Sequence, residues 1–120
     1  MVLEILHGGL ANTVQLYFFA IAAWGLWRFF RKQSVDSSYR GALVIAEILL
    51  LSQGLIGAIL FFTGHSPARG VHFLYGAFVA AIIPGVYAYS KGGEGRSEML
   101  IYGTATLIAA VLIMRAIITG

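Results

Sequence analysis

The sequence predicts an all-α protein, an integral membrane bundle of four helices that run alternately up and down in a single domain. Hydrophobic residues make up 59% of the 120 residues and charged residues only 11%, whereas soluble domains average about 45–50% apolar and about 25% charged residues. The apolar residues fall into four long runs, and about 20 helical residues are enough to cross about 30 Å of hydrocarbon. Four spans leave no room for a soluble domain, so residues 1–120 are expected to form one transmembrane unit.

The first two helices are predicted from where apolar runs meet polar residues. Helix one is expected over residues 4–30, because its apolar body ends in a basic and aromatic stretch that begins at Arg28, as is typical of a membrane interface. Residues 33–39 have the composition of a solvated loop. Helix two is expected over residues 41–62 and ends where Thr63 and a glycine interrupt the apolar run.

The last two helices are predicted from capping residues. Ser66 is a suitable N-cap and Pro67 suits the first helical position, so helix three is expected over residues 67–90. A glycine-rich charged turn follows. Ser97 is the predicted cap of helix four, which is expected over residues 97–119.

The basic residues predict the orientation in the membrane. Six of them lie at the connections after helices one and three, namely Arg28, Arg31, Lys32, Arg40, Lys91 and Arg96. By the positive-inside rule these connections face the cytoplasm, which places both termini outside, and the predicted location is a bacterial inner membrane. The first span lacks the features of a cleaved signal peptide and is expected to be retained.

Composition also excludes several classes of function. The chain has no cysteine, which rules out disulfides, thiolate catalysis and iron–sulfur clusters held by cysteine. The net charge of +3 comes from residues that orient the spans, so lipid is the expected partner and nucleic acid is not.

Two histidines predict a cofactor site. His7 and His72 each lie about one turn inside a predicted helix, and helices one and three run in the same direction. Histidines at matching depth on facing helices supply the axial ligands of a six-coordinate heme iron, and helix bundles hold such cofactors in their cores. We therefore predict one heme b, ligated by both imidazoles, near the outer surface.

Neighbouring residues suit a heme. Gly8 and Ala11 beside the first histidine, and Gly76 one turn beyond the second, leave room for the edge of a macrocycle. Arg69 and Arg115 are candidates for pairing with the heme propionates. A simpler interpretation of Arg115 is that its side chain snorkels to lipid headgroups.

Other interpretations of the polar residues remain open. Histidines at helix ends are common at membrane interfaces, so the matching depth of the two could be accidental. His65 is expected to be a loop residue, not a ligand. Glu47, inside an apolar run, is a candidate for proton relay or quinone contact, and a polar contact with another helix explains it equally well.

Several short motifs resemble the heme A synthase family. Glu4-Ile5-Leu6-His7 is similar to the Glu-x-x-His signature of a ligand helix in that family. The stretch from Gln53 to Gly57, followed by Thr63-Gly64 and then His72, is similar to its Gln-x-x-x-Gly, Thr-Gly and later histidine pattern. That family has two four-helix halves, and this chain resembles one of them over most of its length.

The resemblance implies a heme-binding fold, with His7 and His72 as ligands and Glu4 beside the first. It does not extend to the enzymatic activity, because Gly8 stands where the family has an arginine and a second half and a cysteine pair are missing. A single half would have to work as a homodimer.

Three functions follow as hypotheses. The favoured one is a b-type cytochrome that passes electrons to a quinone, a larger membrane redox complex or a second copy, because two axial histidines leave no open iron site. The second is a half-size, heme-modifying oxidase, so whether the chain is an enzyme stays open. The third is a structural or pigment-binding subunit of a respiratory or photosynthetic complex.

Overall fold

The computed structural model describes residues 2–120, and the regular secondary structure in that range is all helical, with no strand. Four α-helices follow one another along the chain: α1 (Val2–Phe30), α2 (Ser37–Phe62), α3 (Val71–Tyr89) and α4 (Arg96–Thr119). Each is long and apolar enough to cross a membrane. The predicted fold class, an all-α bundle of four such helices, is confirmed.

The start of α2 differs from the prediction by one turn. The helix begins at Ser37, not Gly41, because Asp36 is its N-cap and accepts a hydrogen bond from the Tyr39 N–H at 2.8 Å. An aspartate at this position satisfies an N–H group that has no partner within the helix. The segment predicted as a loop is therefore shorter.

The starts of α3 and α4 show that two predicted caps are wrong. Helix α3 begins at Val71 with Gly70 as N-cap, so Ser66 and Pro67 lie in the preceding connection. There the Arg69 N–H donates to the Thr119 carbonyl at 3.0 Å, which holds this connection across the end of α4.

Helix α4 begins one residue earlier than predicted. Its N-cap is Gly95, whose N–H donates to Glu98 Oε1 at 2.9 Å. The Ser97 hydroxyl instead donates to the second Glu98 carboxylate oxygen at 3.2 Å.

The helices are arranged so that α1 and α3 lie diagonally opposite each other. Helix α4 packs against α1 and α3, and α2 packs against the same two helices, with its loosest packing against α3. Short connections join consecutive helices, as in an up-down bundle. The bundle measures 48 × 23 × 21 Å, and α1 and α3 run in the same direction through it.

The closest packing in the bundle is between α1 and α4, at Gly25 and Gly103. A Cβ added to Gly103 would lie 3.1 Å from the Leu26 backbone nitrogen and 3.2 Å from the Gly25 carbonyl carbon. Only glycine allows such an approach of two helix backbones. The core beside it contains the fully buried side chains of Phe18, Tyr39 and Met99.

The outer surface of the bundle is apolar on every helix. The exposed fraction of the side chain is 71% for Leu16, 64% for Leu55, 67% for Leu74 and 65% for Ile118, one residue from each helix. Soluble monomers rarely expose contiguous apolar surface of this kind. The surface is consistent with an integral membrane protein.

Polar contacts join two connections at one end of the bundle. Arg28 pairs with Asp36 at 3.3 Å, and Arg40 pairs with Glu94 at 2.8 Å. The Val35 N–H donates to the Glu94 carbonyl at 3.0 Å, which links the α1–α2 connection to the α3–α4 connection. The α2–α3 connection and both termini therefore lie at the opposite end.

Candidate functional site

His7 and His72 meet at the end of the bundle where the termini lie. Their ring centres are 6.1 Å apart and the ring planes are inclined at 65°. His7 lies in the second turn of α1 and His72 is the second residue of α3, and both are partly buried. The fold thus brings together the two histidines that the sequence singled out.

The ring of His72 is oriented by α4. Its Nδ1 lies 2.7 Å from the Ala116 carbonyl oxygen. A carbonyl only accepts, so Nδ1 carries the proton in the neutral ring and the lone pair lies on Nε2. This is how ligand histidines are usually oriented, with one nitrogen donating to a fixed acceptor and the other available to a metal.

The ring of His7 is packed against α2. The Gln53 side-chain amide donates to the His7 backbone carbonyl at 2.7 Å, and a Cβ added to Gly57 would lie 3.2 Å from His7 Cε1. Gln53 and Gly57 are four residues apart, so they share one face of α2. Glycine at the second position lets the imidazole lie close to the helix.

Two polar atoms at this contact are buried without a hydrogen-bond partner among residues 2–120. They are Nδ1 of His7 and Oε1 of Gln53. Buried polar atoms are rarely left in this state, because each lost hydrogen bond costs about 1–3 kcal/mol. The His7 ring therefore has binding capacity that the described protein atoms do not satisfy.

His65 lies in the α2–α3 connection, as predicted for a loop residue. Its Nε2 is 3.0 Å from a Glu4 carboxylate oxygen, and the two side chains are 47% and 51% exposed. The Glu4 carboxylate thus contacts His65, although the family resemblance places Glu4 beside His7. This pair connects the first turn of α1 to the α2–α3 connection.

The predicted small residues border open space. A Cβ added to Gly8 or Gly76 would meet no described atom within 4 Å, and both glycines are exposed. Ala11 is partly buried one turn beyond His7. Packing within the described chain therefore does not explain why Gly8 and Gly76 are small.

The two predicted propionate partners lie near the same end of α4. Arg69 is held there by its backbone bond to Thr119, and the Thr119 hydroxyl donates to the Arg115 carbonyl at 3.0 Å. Both arginine side chains are exposed, and neither forms an ion pair within residues 2–120. Their charges are free to meet an anion at this surface.

No group of three or more histidine or carboxylate side chains that could hold a metal ion occurs in the described part of the chain. A cofactor at the paired histidines would need to bring its own equatorial ligands to the metal.

The sequence predicted the paired histidines but assigned no contact to two groups that touch them, although Gln53 belongs to the motif that resembles heme A synthases. The Ala116 carbonyl belongs to the backbone and carries no sequence signal. Gln53 was visible as a polar residue in an apolar run, with Gly57 one turn further on, and this pattern indicates a polar contact between helices.

No family model, curated protein or solved structure matches this chain. The resemblance to heme A synthases therefore depends on the short motifs alone.

Proposed function

We propose that this chain is a b-type cytochrome-like membrane protein that holds one heme between His7 and His72 and transfers single electrons. The observation that carries the proposal is the separation of 6.1 Å between the two ring centres. A metal would fit between the two rings, because a separation of about 6 Å leaves room for bonds of about 2 Å to one nitrogen of each ring.

The hydrogen bonding of the rings supports the same proposal. The Ala116 carbonyl fixes the His72 tautomer that leaves Nε2 available. His7 has a buried ring nitrogen with no partner in residues 2–120. A tetrapyrrole would supply four further nitrogens to the iron, so two protein ligands would be enough.

Other residues would accommodate the edges of the heme. Gly8, Ala11 and Gly76 are small, and the first and last border open space. Arg69 and Arg115 are exposed cations near the end of α4, where they would pair with the propionates. The distribution of basic residues favours an outer position for this site, with both termini outside a bacterial inner membrane.

The chemistry follows from the ligand set. A bound heme would supply a one-electron couple at an iron without an open position. With His7 and His72 both bound to it, the iron would have no open position, which disfavours oxygen chemistry and favours electron transfer. The electron partner is expected to be a quinone, a larger redox complex or a second copy of this chain.

The test is heme content and spectrum after single substitutions. We expect His7→Ala and His72→Ala each to abolish the low-spin bis-imidazole spectrum of the purified protein, measured per mole of chain. Free imidazole should restore part of the spectrum in either variant, because it can occupy the vacated axial position. Rescue separates loss of a ligand from loss of the fold, which circular dichroism checks independently.

His65→Ala is the matched control. It removes a histidine at the same end of the bundle that contacts Glu4 and is 47% exposed. The spectrum of this variant should be unchanged. An unchanged spectrum in the His7 or the His72 variant would remove the ligand assignment.

A further inference from the structure

A cavity of about 360 Å³ lies between α2 and α3, near the end of the bundle opposite the paired histidines. Its walls include Val44 and Ile48 from α2, Ile83 and Pro84 from α3, and Tyr102 from α4. The two main walls come from the most loosely packed neighbours in the bundle. The volume is within the range of about 300–1,000 Å³ that small-molecule sites occupy.

Glu47 is one of the residues that line this cavity. Its Oε1 is buried and has no hydrogen-bond partner among residues 2–120. Arg40, a cation that also lines the cavity, is paired with Glu94 at 2.8 Å. An acidic side chain within an apolar span is costly and calls for a partner. The alternative explanation of Glu47 is a polar contact with another helix. No such contact is found in the described residues.

The chemistry of the cavity defines its ligand. A carboxyl oxygen without a partner can accept a hydrogen bond, so a hydroxyl group on the ligand is a suitable donor to it. A metal ion does not fit, because calcium or magnesium takes about six or more oxygen ligands and no ligand cluster occurs within residues 2–120. The remaining walls are apolar or aromatic, which favours a flat ring.

We propose that this cavity binds a lipid-soluble hydroquinone whose hydroxyl donates to Glu47. A dry cavity of about 150 Å³ holds a benzene ring in another protein, so 360 Å³ accommodates a substituted ring. The hydrophobic tail leaves the cavity on its lipid side, where Val44 and Tyr87 are 53% and 55% exposed. This site rests on the proposed function only in that a quinone is one of the expected electron partners. It is otherwise independent of the heme proposal, because no proposed heme residue lines it.

The site is also separated from the histidines along the helix. Glu47 and Gly57, which contacts His7, are ten residues apart on α2, or roughly 15 Å at 1.5 Å per residue. A substitution at one site can therefore be made without touching the other.

The experiment measures binding of radiolabelled decylubiquinol to the full chain in lipid nanodiscs, with empty nanodiscs correcting for partition into lipid. We expect saturable binding of one molecule per chain. Glu47→Leu, which keeps an apolar side chain of similar size, should weaken binding about tenfold, because it removes the acceptor. The oxidised quinone, which has no hydroxyl donor, should also bind several-fold more weakly.

Two further variants test whether the ligand occupies the cavity, and both keep the Glu47 carboxyl group. Val44→Phe fills the cavity and should weaken binding at least as much. Ile45→Phe places the same side chain at the next exposed position, which does not line the cavity, and should leave binding unchanged. Absence of saturable binding would mean that lipid alone fills the cavity and would overturn the proposal. Unchanged affinity in both Glu47→Leu and Val44→Phe, or equal affinity for the quinone, would also overturn it.

Discussion

Gly103→Ala tests whether α1 and α4 are held together by direct backbone contact. The added methyl group would lie 3.0 Å from Leu26 Cδ2, 3.1 Å from the Leu26 nitrogen and 3.2 Å from the Gly25 carbonyl carbon. Favourable contacts between carbon atoms lie at about 3.5–4.0 Å. Two of these three atoms belong to the backbone, so the helices must separate by roughly half an ångström.

The free-energy cost of separating the helices is taken from the usual effect of overpacking an interface. Forcing an extra methyl group into a packed interface costs about 1–3 kcal/mol, and alanine in a helix recovers about 0.5–1 kcal/mol relative to glycine. The expected result is a decrease of about 0.5–2 kcal/mol in the free energy of unfolding. The assay is reversible unfolding in mixed micelles, followed by the helical circular dichroism signal as the fraction of denaturing detergent increases.

Gly54→Ala is the control for this prediction. A Cβ at Gly54 meets no described atom within 4 Å, so this variant should be more stable than the parent protein by about 0.5–1 kcal/mol. If Gly103→Ala and Gly54→Ala unfold with the same free energy, the close approach of α1 and α4 is refuted.

Three further variants test individual interactions. Tyr39→Phe removes the hydroxyl that donates to the Ile21 carbonyl at 2.8 Å and should lower the free energy of unfolding by about 1 kcal/mol in the same assay; no loss would mean that this bond contributes nothing. Arg40→Gln breaks an ion pair whose side chains are 43% and 50% exposed. The free energy of unfolding should therefore fall by less than about 1 kcal/mol, and by less still in high salt. A larger, salt-independent loss would contradict this. Arg115→Leu should lower the midpoint potential of the proposed heme, measured by redox titration, because a nearby cation stabilises the reduced, less positive iron. No shift relative to an Arg31→Leu control would mean that Arg115 only snorkels.

The helices could be predicted from the sequence, but the starting points of α2, α3 and α4 could not. Long apolar runs determine where a chain can cross a membrane, so four helices follow from local composition. The start of α3 depends on a bond between the Arg69 N–H and the Thr119 carbonyl, two residues far apart in the chain. The local signal from Ser66 and Pro67 was therefore overridden by a tertiary contact.

The candidate site, too, could be predicted only in part. Equal depth on parallel helices predicted that His7 and His72 would approach each other, and their ring centres are 6.1 Å apart. The Ala116 carbonyl that orients His72 could not be predicted, because any residue type presents the same group. The contact of Glu4 with His65 depends on how the α2–α3 connection folds over the first turn of α1.

The proposal of a bis-histidine heme is tested most directly by a reduced-minus-oxidised absorption spectrum of the purified protein, with pyridine extraction to identify the cofactor. The account predicts the bands of a low-spin b-type cytochrome and one heme b per chain. Heme O or heme A in the extract would favour a heme-modifying oxidase instead. A chlorin band without reduced-heme bands, or protein that binds no heme when heme is supplied, would contradict the account.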